Sequence, residues 1–491
     1  MNADAANALL VTLRERNDVE TLSLGGVSMW PMLRLAVLYH VISEVRGTGA
    51  AAPRGTAFRP GAGIDLSTRA RPSHELRGRG CEDLGHAVGV DLPEPGADVL
   101  LVQSWRDFTA GTPDRPVDPL AEGLRRVDYE VATVAIPGRT ALRSAQPDLA
   151  LVQPLDRAPD FAPADVHAFV RQLRALLGEL ERMAGEPIVR VADCISYALR
   201  IVSTIAGWRS ILGRLRPRSV MVQNYLNLER LALGAAARQL GVPLVDHQHG
   251  MFVRGAELYT SWIEVPDAVT DPMPSHFWVW SDWFARRLPD PTRGTGKVVG
   301  GDLRLYPGDP TAIHGMPNAE RTILYLHQPI GQTRSGARIV DERVIDAVRR
   351  SPPGWHWLVR IHPRFKDRIG QARDELGSTS NVSIVEPTNA TLEACLARAD
   401  ATVTGSSASA FEAIDAGVPT VFMDRVMTER MPGADADPLV VFAHGGDLID
   451  VLAEPKRRPP RTVYVQRSIP LAERALASVL AGGGAMRPVE A

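Results

Sequence analysis

The run from Ala401 to Asp424 constrains the fold more than any other part of the chain. Thr402 to Thr404 is β-branched and reads as a buried strand, Gly405-Ser406-Ser407 as a tight polar turn, and Ala408 to Ala416 as a short helix with Phe411 and Ile414 on one side. Gly417 stops that helix, and Val418 to Met423 is the next strand. The turn would offer backbone amides and hydroxyls at a helix N-terminus, where unpaired N–H groups and the helix dipole favour an anion such as phosphate. The same two serines read equally well as helix caps.

The alternation extends over most of the 491 residues, a length that suggests roughly two to four domains. A first series has strands at Asp98–Gln103, Tyr129–Ile136, Ser219–Gln223, Pro243–His247, Phe277–Trp280 and Lys297–Val299. Its helices fall at Pro119–Arg126, at Ala164–Leu215 with a break near Pro187, at Leu228–Leu240 and at Asp282–Leu288. A second series has strands at Thr322–Leu326, Trp355–Ile361, Val382–Val385, Ala401–Thr404 and Val418–Met423, with helices between them. Strands alternating with helices predict doubly wound parallel sheets. The expected organisation is an N-terminal α/β domain over 1–300, a Gly-, Pro- and Asp-containing connection over 301–320, and a C-terminal domain over 321–491 whose last helix, Pro470–Leu480, could cross back. Residues 1–45 read as helical with a break at Trp30-Pro31, and 47–75 as a loop. Ligands of such sheets sit beyond the carboxyl ends of the strands, here in a cleft between two domains.

Composition narrows the function classes. A formal charge of −2 argues against general nucleic-acid binding. Cys81, Cys194 and Cys395 are far apart, form no metal-ligand spacing and suit a reducing compartment. The N-terminus has no basic signal-peptide region, and no stretch approaches ~20 apolar residues. The expectation is a cytoplasmic protein. Leu33, Val37 and Val41 recur at helical spacing, so their helix either packs on its own domain or rests on the inner membrane surface.

Several groups could carry chemistry. His362-Pro363 follows the strand Trp355–Ile361, so the proline holds an imidazole at a strand tip, flanked by Arg360 and Arg364. Asp246-His247-Gln248-His249-Gly250 crowds polar groups where a buried strand of the first domain ends. Metal ligation is the rival use of Asp246, His247 and His249, but alternate strand residues face opposite ways. Glu412 could accept ribose hydroxyls or close a capping box with Ser409. Asp435-Ala-Asp437 has the form of a metal signature but reads as a solvated loop. Gly300-Gly301-Asp302-Leu303-Arg304 marks the hinge, and His327-Gln328-Pro329-Ile330-Gly331 a loop that could approach phosphates. Phe277, Trp278, Trp280, Trp283 and Phe284 read as core.

Arg360-Ile-His-Pro363 followed by Thr404-Gly-Ser-Ser407 resembles the donor-site pattern of metal-independent glycosyltransferases of the GT-B architecture, notably bacterial sialyltransferases, Kdo transferases and polyol-phosphate transferases of surface-polysaccharide assembly. Glu412-Ala-Ile-Asp-Ala-Gly-Val-Pro419 is similar to the GT-B run after the donor loop, and His249-Gly250 to a motif of the polyol-phosphate transferases. The Asp/Glu-Asp/Glu-Gly motif of sialyltransferases is absent. The resemblance implies two Rossmann-like domains facing a cleft and an inverting transfer from a nucleotide-activated sugar, with CMP- or CDP-linked donors favoured, to a hydroxyl of a glycan, lipid-linked or small-molecule acceptor. It implies His249, with Asp246, as the base, and Arg360, His362, Pro363, Gly405, Ser406, Ser407 and Glu412 on the donor side. It implies no metal and no cofactor beyond the donor. Transfer of a polyol phosphate from a CDP-linked donor, a sugar-nucleotide epimerase sharing the two-domain fold, and a non-catalytic nucleotide-sugar-binding scaffold are its alternatives.

Overall fold

The computed structural model describes residues 3–17, 22–35, 95–104, 115–136, 162–226, 228–250, 272–288, 295–304, 318–328, 338–377, 379–386, 390–424, 434–443, 446–454 and 456–482, with single positions and short strands between them. A helix, Ala3–Arg16, precedes a hairpin of β1 (Ser23–Leu24) and β2 (Val27–Ser28). The continuous helix expected before Trp30 is therefore interrupted. Gly25 and Gly26 both take positive φ, which suits a tight hairpin turn and not a helix. Pro31 does not break a helix but lies in the first turn of one that starts at Trp30, where a missing N–H costs nothing. Trp30, Leu33 and Val37 are buried, so this helix packs on its own domain. The expected loop at 47–75 lies outside the described residues.

Two sheets organise the rest. The first contains β3 (Ala87–Val88), β4 (Val99–Ser104), β7 (Val131–Ile136), β8 (Leu149–Leu151), β9 (Ser219–Val222), β10 (Leu244–His247), β11 (His276–Val279) and β12 (Gly296–Val299), in the spatial order β12-β11-β10-β9-β4-β7-β8-β3. Only the β3–β8 pair at its edge is antiparallel. β5 (Ala110–Thr112) and β6 (Arg115–Val117) form a separate hairpin. The second sheet contains β13 (Arg321–Leu326), β14 (Trp355–Arg360), β15 (Val382–Val385), β16 (Ala401–Thr404), β17 (Thr420–Phe422) and β18 (Val440–Phe442), wholly parallel in the order β15-β14-β13-β16-β17-β18. Counted along its own segment, this is 3-2-1-4-5-6, and the first sheet repeats the order with extra edge strands. Both are doubly wound, and each has a switch point where the winding reverses: between β4 and β9, and between β13 and β16.

Burial on both faces explains the apolar runs. Ile323 to Leu326 and Val403 are at most 3% exposed. Tyr325, Trp357 and Val359 face the helix Glu342–Arg350, whereas Leu324, Leu326 and Leu358 face Leu392–Arg398. These helices start on side-chain caps: Asp341 accepts from the Arg343 amide (2.9 Å), and Thr391 from that of Ala394 (3.1 Å).

In the first sheet, Leu100, Val102, Val220, Val222 and Phe277 face the helices Pro163–Ala184, Val191–Leu215 and Leu228–Leu240. Val99, Leu101, Met221, Val245 and Trp278 face the other way, onto Pro119–Arg125 and the final helix Ile469–Gly482. The last helix of the chain thus completes the core of the first domain. Leu476 is wholly buried in that core. Leu476→Ala should lower the unfolding free energy by roughly 2–4 kcal/mol, while Glu473→Ala on the exposed side of the same helix should change it by less than about 0.5 kcal/mol. Chemical denaturation of the full chain checks this, and equal effects of the two would detach the helix from the core.

Candidate functional site at the facing sheet edges

The two domains meet at the carboxyl edge of the first sheet. Trp283 and Phe284, just after β11, pack on Phe411 in the helix after β16, with ring centroids 5.7 and 5.1 Å apart, and Trp283 also packs on Tyr464 at 4.9 Å. The segment 461–467 straps the domains together. Asp415 accepts the amides of Val463, Tyr464 and Val465 at 3.0, 2.9 and 2.6 Å. Further along, Gln466 donates to the Trp280 carbonyl and accepts from the Asp302 amide. Arg467 then ion-pairs with Glu412 of the second domain, with Glu393 (2.9 Å) and with Asp302 (3.6 Å). Residues 301–304 are therefore a packed junction and not a slack connection, because Asp302 is fully buried and accepts from Arg304 Nε and Nη2, both at 2.8 Å. Burial pushes the Asp302 carboxyl up, but the charge and hydrogen bonds of Arg304, then His247 and Arg467, outweigh it and hold it below the usual range.

Along the second sheet's carboxyl edge, Leu326 pairs with Arg360 on one side and with Thr404 on the other. His362 and the Ser406–Ser407 turn therefore share one edge, but they stand two strand spacings apart, about 10 Å. They do not adjoin, because β13 lies between β14 and β16. The residue between them is His327, at the switch point itself. It is 2% exposed, and its Nδ1 accepts the backbone amide of His362 at 3.2 Å, which leaves the proton of the neutral ring on Nε2. Sequence reasoning placed His327 in a loop near phosphates but did not see that it separates the two expected anchors.

Ser406 and Ser407 are buried. The Ser407 hydroxyl accepts the Ser409 amide (3.3 Å), and Thr404 Oγ1 accepts that of Ser407 (3.3 Å) while donating to the Leu326 carbonyl (2.8 Å), which ties the turn to β13. At Gly405 a Cβ would lie 2.7 Å from Asp424 Oδ2, so a side chain there would require the Asp424 carboxylate to move. Arg360 donates to the Ala390 carbonyl at 2.7 Å, on the Leu392–Arg398 face of the sheet. Pro363 opens a 3-10 turn running to Arg368. In place of the capping box, Glu412 pairs with Arg467, and burial raises its carboxyl against that charge.

At the first sheet's edge, Asp246 is wholly buried, with the amides of Asn224 (2.8 Å) and Tyr225 (3.4 Å) on its two oxygens, so it pins the turn after β9. His247 is also wholly buried and stacked on Trp278, with the Gln248 backbone as the polar neighbour of its ring. Of the three candidates for the base, His249 alone is exposed. The aromatic cluster is core, as Phe277, Trp278, Trp280 and Phe284 show no exposure and Trp283 only 9%. The Asp435-x-Asp437 loop is not simply solvated: Asp437 accepts from Arg461 and from Tyr464 Oη (3.1 Å). Among the described residues, no three His, Cys, Asp or Glu side chains are grouped so as to hold a metal ion.

Asp246 and His247 give a test of this edge. Burial pushes the Asp246 carboxyl up to about 7, against the lowering pull of the Tyr225 and Asn224 amides and Arg230. Burial pulls His247 down to about 4, Asp302 opposing and Arg304 adding to it. Between 3.8 and about 7 the folded chain holds the extra proton on Asp246, so that contribution to stability falls as pH rises. Between about 4 and 6.5 the unfolded chain holds the extra proton on His247, so that contribution rises. Each slope is at most roughly 1.4 kcal/mol per pH unit, and across their shared window they cancel. Asp246→Asn should expose the rise and His247→Gln the fall. Denaturation at several pH values between 4 and 6.5 would measure both, and parallel slopes in the two variants would contradict it.

No family model matches the chain, and no curated protein matches it. Among solved structures it is similar to the UDP-GlcNAc 2-epimerase of Neisseria meningitidis bound to UDP-GlcNAc, at 13% identity over 78% of this chain and 99% of that one, with a TM-score of 0.41. It is similar to SsfS6, a glycosyltransferase of Streptomyces sp. SF2575, at 16% identity over 78% of this chain and 96% of that one, with a TM-score of 0.38. It is also similar to the spinosyn rhamnosyltransferase SpnG complexed with thymidine diphosphate, at 14% identity over 78% of this chain and 91% of that one, with a TM-score of 0.43.

Proposed function

We propose that the chain is a glycosyltransferase of GT-B type that moves a sugar from a nucleotide-activated donor to a hydroxyl acceptor. One observation carries this reading: two doubly wound sheets are joined at the carboxyl edge of the first, beside the helix that follows the switch strand of the second. Ligands of such sheets bind at the switch points. The second edge supplies the donor side, with His362, His327 and the Gly405–Ser407 turn as three stations in line. Their spread suits a diphosphate better than the single phosphate of a CMP-linked sugar, so the donor class is a nucleoside diphosphate sugar, CDP-linked ones included. The Nε2–H of His327 and the imidazole of His362 would meet charge growing on the departing phosphate. On the first edge, exposed His249 would take the acceptor's proton as its oxygen attacks the anomeric carbon and the bond to phosphate breaks. Asp246 would hold the adjoining turn and not act as the base.

Calorimetry with CMP, CDP, UDP, GDP and TDP tests the donor class. A diphosphate should bind more tightly than CMP, and His327→Ala and His362→Ala should each weaken it. Binding of CMP alone would return the assignment to a single-phosphate site. His249→Ala should cut turnover on the order of a hundredfold with donor affinity retained, and full turnover in that variant would remove His249 from the chemistry. EDTA should leave turnover intact. Inactivation that a divalent ion restores would overturn the metal-independent mechanism.

A further inference from the structure

The first sheet's own switch point carries a feature that the donor site does not use. Val102 pairs with Val222, and Asp246 with Val222, so the next residues along these strands, Gln103, Gln223 and His247, form one row over three adjacent strands. Val99, Leu101, Met221 and Val245 face the final helix, and alternation places Gln103 and His247 on that face, with Gln223 one residue past its strand. Gln103 and Gln223 flank the crevice where the winding reverses. Buried polar atoms normally have partners. Here both side-chain polar atoms of Gln103 and Nε2 of Gln223 have none, the His247 ring has only the backbone of Gln248 as a hydrogen-bonding neighbour, and Gln103 and His247 show no exposure.

We infer that this row is a recognition subsite for an uncharged, hydroxyl-rich group, a saccharide ring, on the acceptor side of the cleft; this rests on the transferase reading. The row consists of amide and imidazole groups, which both donate and accept and carry no net charge at neutral pH. Asp302 and Arg304, beside His247, pair with each other, and Arg230 donates to the Gln223 and Asn224 carbonyls. The row itself holds no charged side chain for an anion to pair with, and an apolar ligand would leave its polar atoms unmet. A ring bearing hydroxyls around its rim satisfies donors and acceptors spaced at the strand interval, about 4.8 Å. Gln103 and His247 have no exposure, so occupation requires the packing over the row to part.

The test uses the full chain, with saccharide binding followed by saturation-transfer NMR for methyl glucoside, methyl galactoside, N-acetylglucosamine and cellobiose, and nucleotide binding followed by calorimetry in the same samples. At least one saccharide should bind. Gln103→Met and Gln223→Met, which keep length and remove the polar atoms, should each weaken it roughly tenfold with nucleotide affinity unchanged. Gln103→Met should also raise Tm by about 1–2 °C, because two buried groups no longer lack partners. Nucleotide binding without any saccharide binding overturns the subsite and leaves the transferase standing. Unchanged saccharide affinity in both variants overturns it too, as does a lower Tm in Gln103→Met, which would make the row a structural part of the core. Failure of every nucleotide to bind sinks the transferase reading itself, whereas saccharide binding sensitive to Gln103→Met would still uphold the row.

Discussion

The Asp302 side chain has no exposed surface, so its charge has to be met inside the protein. Arg304 meets it with a two-pronged contact, and Arg467 adds a second cation that also reaches Glu412 and Glu393. Carboxylates of both domains therefore share one guanidinium. The bidentate Arg304 contact is geometrically exacting and holds the Asp302 carboxylate in place for Arg467, whose further contacts to Glu393 and Glu412 join the domains. The aromatic contact of Trp283, Phe284, Phe411 and Tyr464 supplies apolar burial beside it, and the ionic cluster supplies orientation.

That orientation gives the sheet edges their use. A doubly wound sheet has one crevice where crossover helices leave in opposite directions, and its position follows from strand order alone. Here the crevices fall at β4/β9 and β13/β16, and the junction joins the carboxyl edge of the first sheet to the helix after β16. Each is lined differently. The second has imidazoles, hydroxyls and a glycine pressed against Asp424, whereas the first has neutral amides and a stacked histidine. One edge suits charge that builds up on a leaving group, and the other suits groups that stay neutral.

Much of this was legible in the residues. The runs from Thr322 to Leu326 and from Ala401 to Thr404 are too apolar and β-branched to be anything but buried strands, and Pro363 and Gly405 mark where two of them stop. Spatial order was not legible. Periodicity says which residues share a face but not which strand lies between two others, so the place of β13 between His362 and Ser407 could not be read from it. The Asp302–Arg467–Glu412 cluster left no local pattern either, because its members come from three distant segments. Glu412 looked like a capping or ribose-binding residue because Arg467 cannot be placed beside it from spacing. Short strands such as β8 and β18 were missed, since three residues carry too little period to stand out.

The final helix has a consequence for how the molecule is made. Leu101, Met221, Val245 and Trp278 are covered by Ala472, Ala475, Leu476 and Val479, which leave the ribosome only after every strand of the second sheet. At ~5–20 residues per second, the first sheet waits on the order of ten seconds or more after its own strands have emerged before this face is closed. During that interval the second domain can wind up by itself, as its strands are contiguous in sequence, while the first presents an uncovered apolar stripe. The domain synthesised first is thus the one completed last, and a chaperone acting on the nascent chain would find its binding surface there.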